Sequence, residues 1–201
     1  MRHLKKNDTF IVFFYYIINN TKNMTTKLFL TNIKLSALPN QLPATLEKLW
    51  CSYNQLKSLP DILPAALKAL WCHNNQITSL PDNLPATLKE LWCSYNNLTS
   101  LPNILPTTLT HMQCSYNNLT SLPDNLPATL KVLGCSNNNL TSLPDNLPAT
   151  LERLYCFNNP LEANYPKIFT FEADQAKEII AYVCECNTQH AMQRARVPCG
   201  R

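Results

Sequence analysis

From Leu28 to Leu161 the sequence superimposes on itself every 21 residues without a single gap, in six full rows and one shortened last row. A representative row is Leu46-x-x-Leu49-x-Cys51-x-x-Asn54-x-Leu56-x-x-Leu59-Pro60-x-x-Leu63-Pro64, and it recurs through Cys72, Cys93, Cys114, Cys135 and Cys156. Such a unit cannot fold alone. Its half-dozen apolar side chains contribute roughly 1.5–3 kcal/mol each on burial, whereas ordering its backbone and side chains costs on the order of 1.5 kcal/mol per residue, roughly 30 in all. Stacked rows bury both faces of each unit without adding chain, so the period predicts a solenoid in which neighbours stabilise one another and the ends need covers.

Within a row, Leu49-Trp50-Cys51 alternates, with Leu49 and Cys51 inward and Lys48, Trp50 and Ser52 outward, which predicts a strand. Strands of successive rows would pair in parallel at about 4.8 Å and form a concave sheet. The return half, Leu59-Pro60-Asp61-Ile62-Leu63-Pro64, carries two prolines that exclude a helix and favour extended, polyproline-like backbone. Composition narrows the function. Only Gly134 and Gly200 are glycines, which excludes glycine-rich phosphate loops and dinucleotide fingerprints. A net charge of +4, spread diffusely over a chain with 15% charged residues, gives no reason to expect a nucleic-acid partner.

The L-x-x-L-x-[LC]-x-x-N-x-L frame is that of leucine-rich repeats, with cysteine at the third leucine. Its short rows and Leu-Pro-x-x-Leu-Pro stretches resemble the repeats of bacterial secreted effectors, and similar rows occur in amoebal and large-DNA-virus proteins. The resemblance covers about two-thirds of the chain. It implies a curved horseshoe with a parallel concave β-sheet and a polyproline-like convex side, acting as a non-catalytic interaction scaffold. Some such effectors carry a separate ubiquitin-ligase domain with a catalytic cysteine. About 40 residues follow the repeats, too few for that domain, so no catalytic residue is carried over. An adaptor that presents a substrate to a separate enzyme such as a ubiquitin ligase is the alternative.

Each column of the repeat has its own reading. The cysteines fall at an inward strand position and are expected as free core thiols, because in-register neighbours point the same way at a spacing too wide for a disulfide. Nine cysteines, mostly of this kind, suit a reducing location, and the cytoplasm, including a host cytoplasm, is expected. The asparagines Asn54, Asn75, Asn96, Asn117, Asn138 and Asn159 sit where the strand turns, and a ladder of side-chain amides bonding to main chain is expected.

Repeat packing does not dictate the outward columns. One runs Phe29, Trp50, Trp71, Trp92, Gln113, Gly134, Tyr155; a neighbour runs Tyr53, Asn74, Tyr95, Tyr116, Asn137, Asn158. The candidate binding residues are Trp50, Trp71, Trp92, Tyr53, Tyr95, Tyr116 and Tyr155, with His73, His111 and Arg153 nearby. Trp and Tyr combine large apolar area with a polar tip and are enriched in binding hot spots, so a protein or peptide is the expected partner. Stacked indoles could equally serve only to strengthen the ladder. Carbohydrate binding is a smaller alternative, as is a hydrolase built on His73 or His111, two rows apart.

Three units are expected: 1–27 as an N-terminal cap or signal-like segment, 28–162 as the solenoid, and 163–201 as a capping helix and basic tail. Arg2, Lys5 and Lys6 make a basic start and Phe10 to Ile18 is apolar, too short a run to span a bilayer; a cover over the first row is preferred to a signal peptide, and Met24 is an alternative start. A capping helix is expected over Phe171 to Cys186, with Ala176, Ile179, Ile180 and Val183 on one face and Glu172 in its first turn. Cys184, Cys186, His190 and Cys199 raise a zinc site as a minor alternative, and Asp61, Asp82, Asp124 and Asp145 raise calcium; no cofactor or metal is expected, and a monomer is.

Overall fold

The computed structural model describes residues 25–161, 163–166, 168 and 175–196, the last seven of these by backbone alone. Most of the expected N-terminal cap, Glu172, the side chain of His190 and Cys199 lie outside the described residues. The repeats form seven strands of three residues each: β1 (Lys27–Phe29), β2 (Lys48–Trp50), β3 (Ala69–Trp71), β4 (Glu90–Trp92), β5 (His111–Gln113), β6 (Val132–Gly134) and β7 (Arg153–Tyr155). They make one parallel sheet in chain order, and every pairing holds a register of one row, as in Leu49 with Leu70 and Trp50 with Trp71. The fold is the leucine-rich-repeat horseshoe, with this sheet on its concave side.

The middle residue of each strand from β2 to β7 points inward and is buried, with Met112 replacing leucine in β5. Leu46, Leu56, Leu59 and Leu63 and their equivalents complete a continuous core running from Leu30 to the C-terminal helix. Backbone bonds between rows continue past the three-residue strands, as from Cys72 N to Trp92 O and from Asn74 N to Ser94 O, but leave other groups at the turn to be satisfied by side chains. Asparagine does this in each row from Asn54 to Asn159, the first row carrying Ile33 at that position. In the fourth row the Asn96 Oδ1 accepts from Ile77 N at 2.9 Å, while its Nδ2 donates to Cys72 O at 3.1 Å and to Cys93 O at 3.0 Å, bridging two rows. Asn117, Asn138 and Asn159 repeat the geometry.

A second ladder escaped the sequence reading. Thr87, Thr108, Thr129 and Thr150 each donate Oγ1 to carbonyls of the preceding row, as Thr108 does to Ala86 O and Leu88 O at 2.7 and 2.8 Å. One hydroxyl hydrogen is shared between two acceptors there. The recurrence of Thr every 21 residues was the signal that could have revealed it.

The six column cysteines are buried and free. Burial pushes the Cys51, Cys93 and Cys156 thiols up to about 12, and those of Cys72, Cys114 and Cys135 upward as well. Since the thiolate is the nucleophile, these thiols are inert packing groups. Ser52 is a correction: read as outward, it is only 2% exposed, because the His73 ring of the next row covers it and accepts or donates a hydrogen bond at 3.0 Å between Oγ and Nδ1.

At the C-terminal end Tyr165 and Ile168 join the core, and helix α1 (Ala176–Arg196) adds Ala176, Ile179 and Val183 to it, closing the last row. Ile180 is half-buried. The helix runs ten residues past the expected end at Cys186. No glycine or proline interrupts the sequence before Pro198, so nothing stops it earlier. Its Asn187 accepts a 2.9 Å hydrogen bond from Tyr165 Oη, which ties it to the solenoid. Cys184 and Cys186 stand two residues apart on this helix and so diverge by roughly 200° around its axis.

Replacing Asn96 by Ala strands an amide N–H and two carbonyls inside the stack, at about 1–3 kcal/mol per unsatisfied group. A loss of about 3–5 kcal/mol in urea denaturation is expected, and a smaller loss for Asn54→Ala, whose ladder bonds lie nearer solvent. Thiol labelling followed by mass spectrometry checks the core: Cys184, exposed on α1, should react in the native protein, and the six column thiols only on unfolding.

Candidate functional site

Two outward columns meet on the concave face. The third residue of each strand presents Phe29, Trp50, Trp71 and Trp92 in register. Phe29 and Trp50 stack with ring centroids 4.3 Å apart and planes 6° from parallel, and Trp50 and Trp71 at 4.6 Å and 3°. These spacings match the strand separation, so the sheet itself sets the stack. The indoles are half-buried on the face rather than sunk beneath it. The stack ends at Trp71. Trp92 takes no part in it among the described residues, and its Nε1 is buried without a hydrogen-bond partner.

The neighbouring column occupies a special backbone position. Asn32, Tyr53, Asn74, Tyr95, Tyr116, Asn137 and Asn158 all adopt the left-handed conformation, with φ between 53° and 57°. Asparagine tolerates it; for a bulky side chain it costs roughly 1–2 kcal/mol. Tyr53, Tyr95 and Tyr116 are nevertheless 53%, 50% and 45% exposed, so burial does not compensate them. Tyr95 and Tyr116 stack at 4.1 Å, and the neighbouring Tyr116 hydroxyl raises the Tyr95 phenol above its ordinary value. Tyr53 meets His73 edge-on at 5.3 Å.

His73 lies half-buried between these columns, and desolvation lowers its pKa from 6.5. Its contact with Ser52 orients the ring; a hydroxyl only 2% exposed presents no nucleophile to a substrate. His111 belongs elsewhere. It opens β5 on the opposite margin of the sheet, held by Thr110 at 2.9 Å. Arg153 opens β7, and Tyr155 ends it, three rows beyond Trp92 and separated from it by Gln113 and Gly134. The structure thus gathers Trp50, Trp71, Trp92, Tyr53, Tyr95, Tyr116 and His73, and leaves His111, Arg153 and Tyr155 at the periphery.

Three residues outside the candidate set also belong to a recess on this face: Asn74 and Gln113, already placed in the outward columns, and Ser94. With Tyr53, His73, Trp92 and Tyr95 they line a volume of about 440 Å³. Gly134 explains itself here: a Cβ at that position would overlap Gln113 Oε1 and stand 2.6 Å from its Cδ, so the missing side chain gives the glutamine amide its place.

The architecture defines a repeat solenoid that displays an aromatic concave surface. Leucine-rich-repeat family models match it, one of two copies over residues 44–86 and one of a single repeat over 87–107. The leucine-rich-repeat domain of a Shigella effector is 37% identical, with a TM-score of 0.64 over 79% of this chain and 68% of that one. YopM from Yersinia enterocolitica WA-314 is 31% identical with a TM-score of 0.64, and YopM from Yersinia pestis, a leucine-rich effector protein, 34% with 0.56. These alignments cover 77% and 68% of this chain but only 38% and 44% of the two Yersinia proteins. No curated protein matches it by sequence. The chain belongs to the leucine-rich repeat family, and among solved structures it resembles bacterial effectors.

The half-buried imidazole of His73 ties stability to pH. Unfolded His73 takes up a proton near 6.5, whereas the folded ring resists protonation until lower pH, so the unfolded state binds more protons between them. Stability carried by His73 is therefore present above about pH 6.5 and is lost as pH falls through the lowered folded value. Urea midpoints measured from pH 7.5 down to 5 should fall, and His73→Gln should flatten that decline.

Proposed function

We propose that this protein is a non-catalytic scaffold whose concave aromatic face binds a protein or peptide. The observation that carries the reading is the tyrosine column: three exposed phenols stand at left-handed positions where the asparagines of other rows would cost less. Strain retained without burial points to a role outside packing. The stacked indoles beside them add rigid apolar area that loses little side-chain entropy on contact. Stacking and binding are compatible, because the ladder orders the same rings that a partner would meet. Family membership supports the same class of role, and its effector relatives make host proteins natural partners. Free thiols throughout the core suit a reducing compartment such as the cytosol. No helix among the described residues is long and apolar enough to cross a membrane.

The test exploits the repeat. Tyr95→Asn with Tyr116→Asn installs the residue that rows ending at Asn137 and Asn158 already use, relieving strain while removing the ring pair. Relief of roughly 1–2 kcal/mol per site offsets loss of a stack worth about 0.5–1.5 kcal/mol, so Tm should stay within about 5 °C of wild type or rise. Peptides selected from a random phage-displayed library on the wild-type face should lose at least tenfold in affinity for the double variant. Undiminished binding to the variant would refute the reading.

A further inference from the structure

The residues that open the first four strands run Lys27, Lys48, Ala69 and Glu90 in register, so this column passes from cationic through neutral to acidic. Lys27 is exposed and Lys48 half-buried, and among the described residues neither forms an ion pair. Glu47, the nearest acid in sequence, is already engaged by Lys68 at 2.7 Å. That hydrogen bond chiefly holds its carboxyl below the ordinary range, and the charges of Lys68, Lys48 and Lys27 add to the pull, which makes three ammonium groups neighbours of one carboxylate. The only other acid between Thr25 and Ala66 is Asp61, on the return half of its row. Two ammonium groups at this margin are therefore left without a carboxylate of their own.

Two residues along the same strands, about 6.7 Å away on the same face, stand Phe29 and Trp50. Phe29 is 68% exposed. Trp50 has a ring 4.3 Å to one side and another 4.6 Å to the other, so both its faces are covered and its edge is what the surface offers. Ring edges are the electropositive part of an aromatic group, and they favour carbonyl and carboxylate oxygens or the face of another ring. A nucleic-acid base, which binds by stacking on a free face, finds one only at an end of this stack.

We propose that the first rows of the concave face take an acidic, extended segment of a partner protein, in which a Glu or Asp is followed two residues later by an apolar or aromatic residue; this rests on the function proposed above and names the partner's chemistry. Lys27 and Lys48 stand one strand separation apart, about 4.8 Å, so one carboxylate accepts from both ammonium groups. In an extended segment, alternate side chains share a face at about 6.7 Å, the interval from the lysines to the rings. The apolar residue then meets the exposed Phe29 and the edge of Trp50, while the residue between points to solvent. Glu90, at the far end of the column, repels the same carboxylate and so confines it to the lysine rows.

Calorimetric titration of the full chain with acetyl-Ser-Glu-Thr-Phe-Ser-Glu-Thr-Phe-Ser-amide tests this at low salt. The peptide should bind, and its affinity should fall as salt rises, because exposed charges are screened. Replacing both of its glutamates by glutamine should cost at least tenfold, as should the reordered acetyl-Ser-Glu-Phe-Thr-Ser-Glu-Phe-Thr-Ser-amide, which keeps the composition and loses the alternate spacing. Lys27→Gln with Lys48→Gln removes no ion pair and should melt near the wild-type temperature, yet lose about tenfold for the glutamate peptide and nothing for the glutamine one. Failure of the glutamate peptide to bind, equal binding of either control peptide, or an unchanged affinity in the lysine double variant would each overturn the proposal; so would tighter binding of oligothymidylate, which would indicate a nucleic-acid site. The phage selection separates the two levels: selected peptides that lack acids and bind the lysine variant like wild type would retire the acidic specificity and keep the binding face, whereas peptides insensitive to the tyrosine double variant would retire the face.

Discussion

The whole molecule depends on one side-chain amide in each row from Asn54 to Asn159, which pairs the backbone groups at the turn that the inter-row backbone ladder leaves open. Each column asparagine offers one acceptor and two hydrogens at the point where the chain leaves the sheet, and neighbouring rows use all three. This is effective only if consecutive rows hold the same register, because the acceptor serves the preceding row while one hydrogen bridges back to that row's cysteine carbonyl. An insertion of a single residue would break two rows at once. The uninterrupted 21-residue spacing is therefore a consequence of hydrogen-bond geometry, reinforced by the threonine hydroxyls on the return path.

Once leucine, cysteine and asparagine carry the stability, the outward columns are released from packing. Aromatic rings placed there can stack at the strand separation, as Phe29, Trp50 and Trp71 do with nearly parallel planes. The left-handed position imposes a different economy. Asparagine occupies it at little cost, so tyrosine there trades stability for surface chemistry, and the recess arises where the series reverts to asparagine in a single row. Regularity supplies the scaffold and its local violations supply the specific features.

Much of the fold was legible because the repeat reports its own geometry. Spacing and alternation located the strands, the inward thiols and the turn amides; a helical face at Ala176, Ile179 and Val183 located the cap, but both its ends were misjudged, since Gln175 lies outside the helix and Glu178 takes its first turn. The binding face was legible as a list of rings but not as a shape. Columns on either side of a strand look alike in a repeat table, so His73 and His111 seemed comparable neighbours although they occupy opposite margins. Ser52 looked outward because alternation continues on paper past the residue where the strand ends.

By itself, the sequence determined the solenoid, its period, its register and the chemical character of each column, since those follow from which side chain recurs at which interval. Only the tertiary structure decided which outward residues meet. The left-handed turn, the end of the indole stack at Trp71, and the orphaned atoms of Asn74 and Trp92 depend on how side chains from adjacent rows share one spacing of a few ångströms, and no single row contains that information.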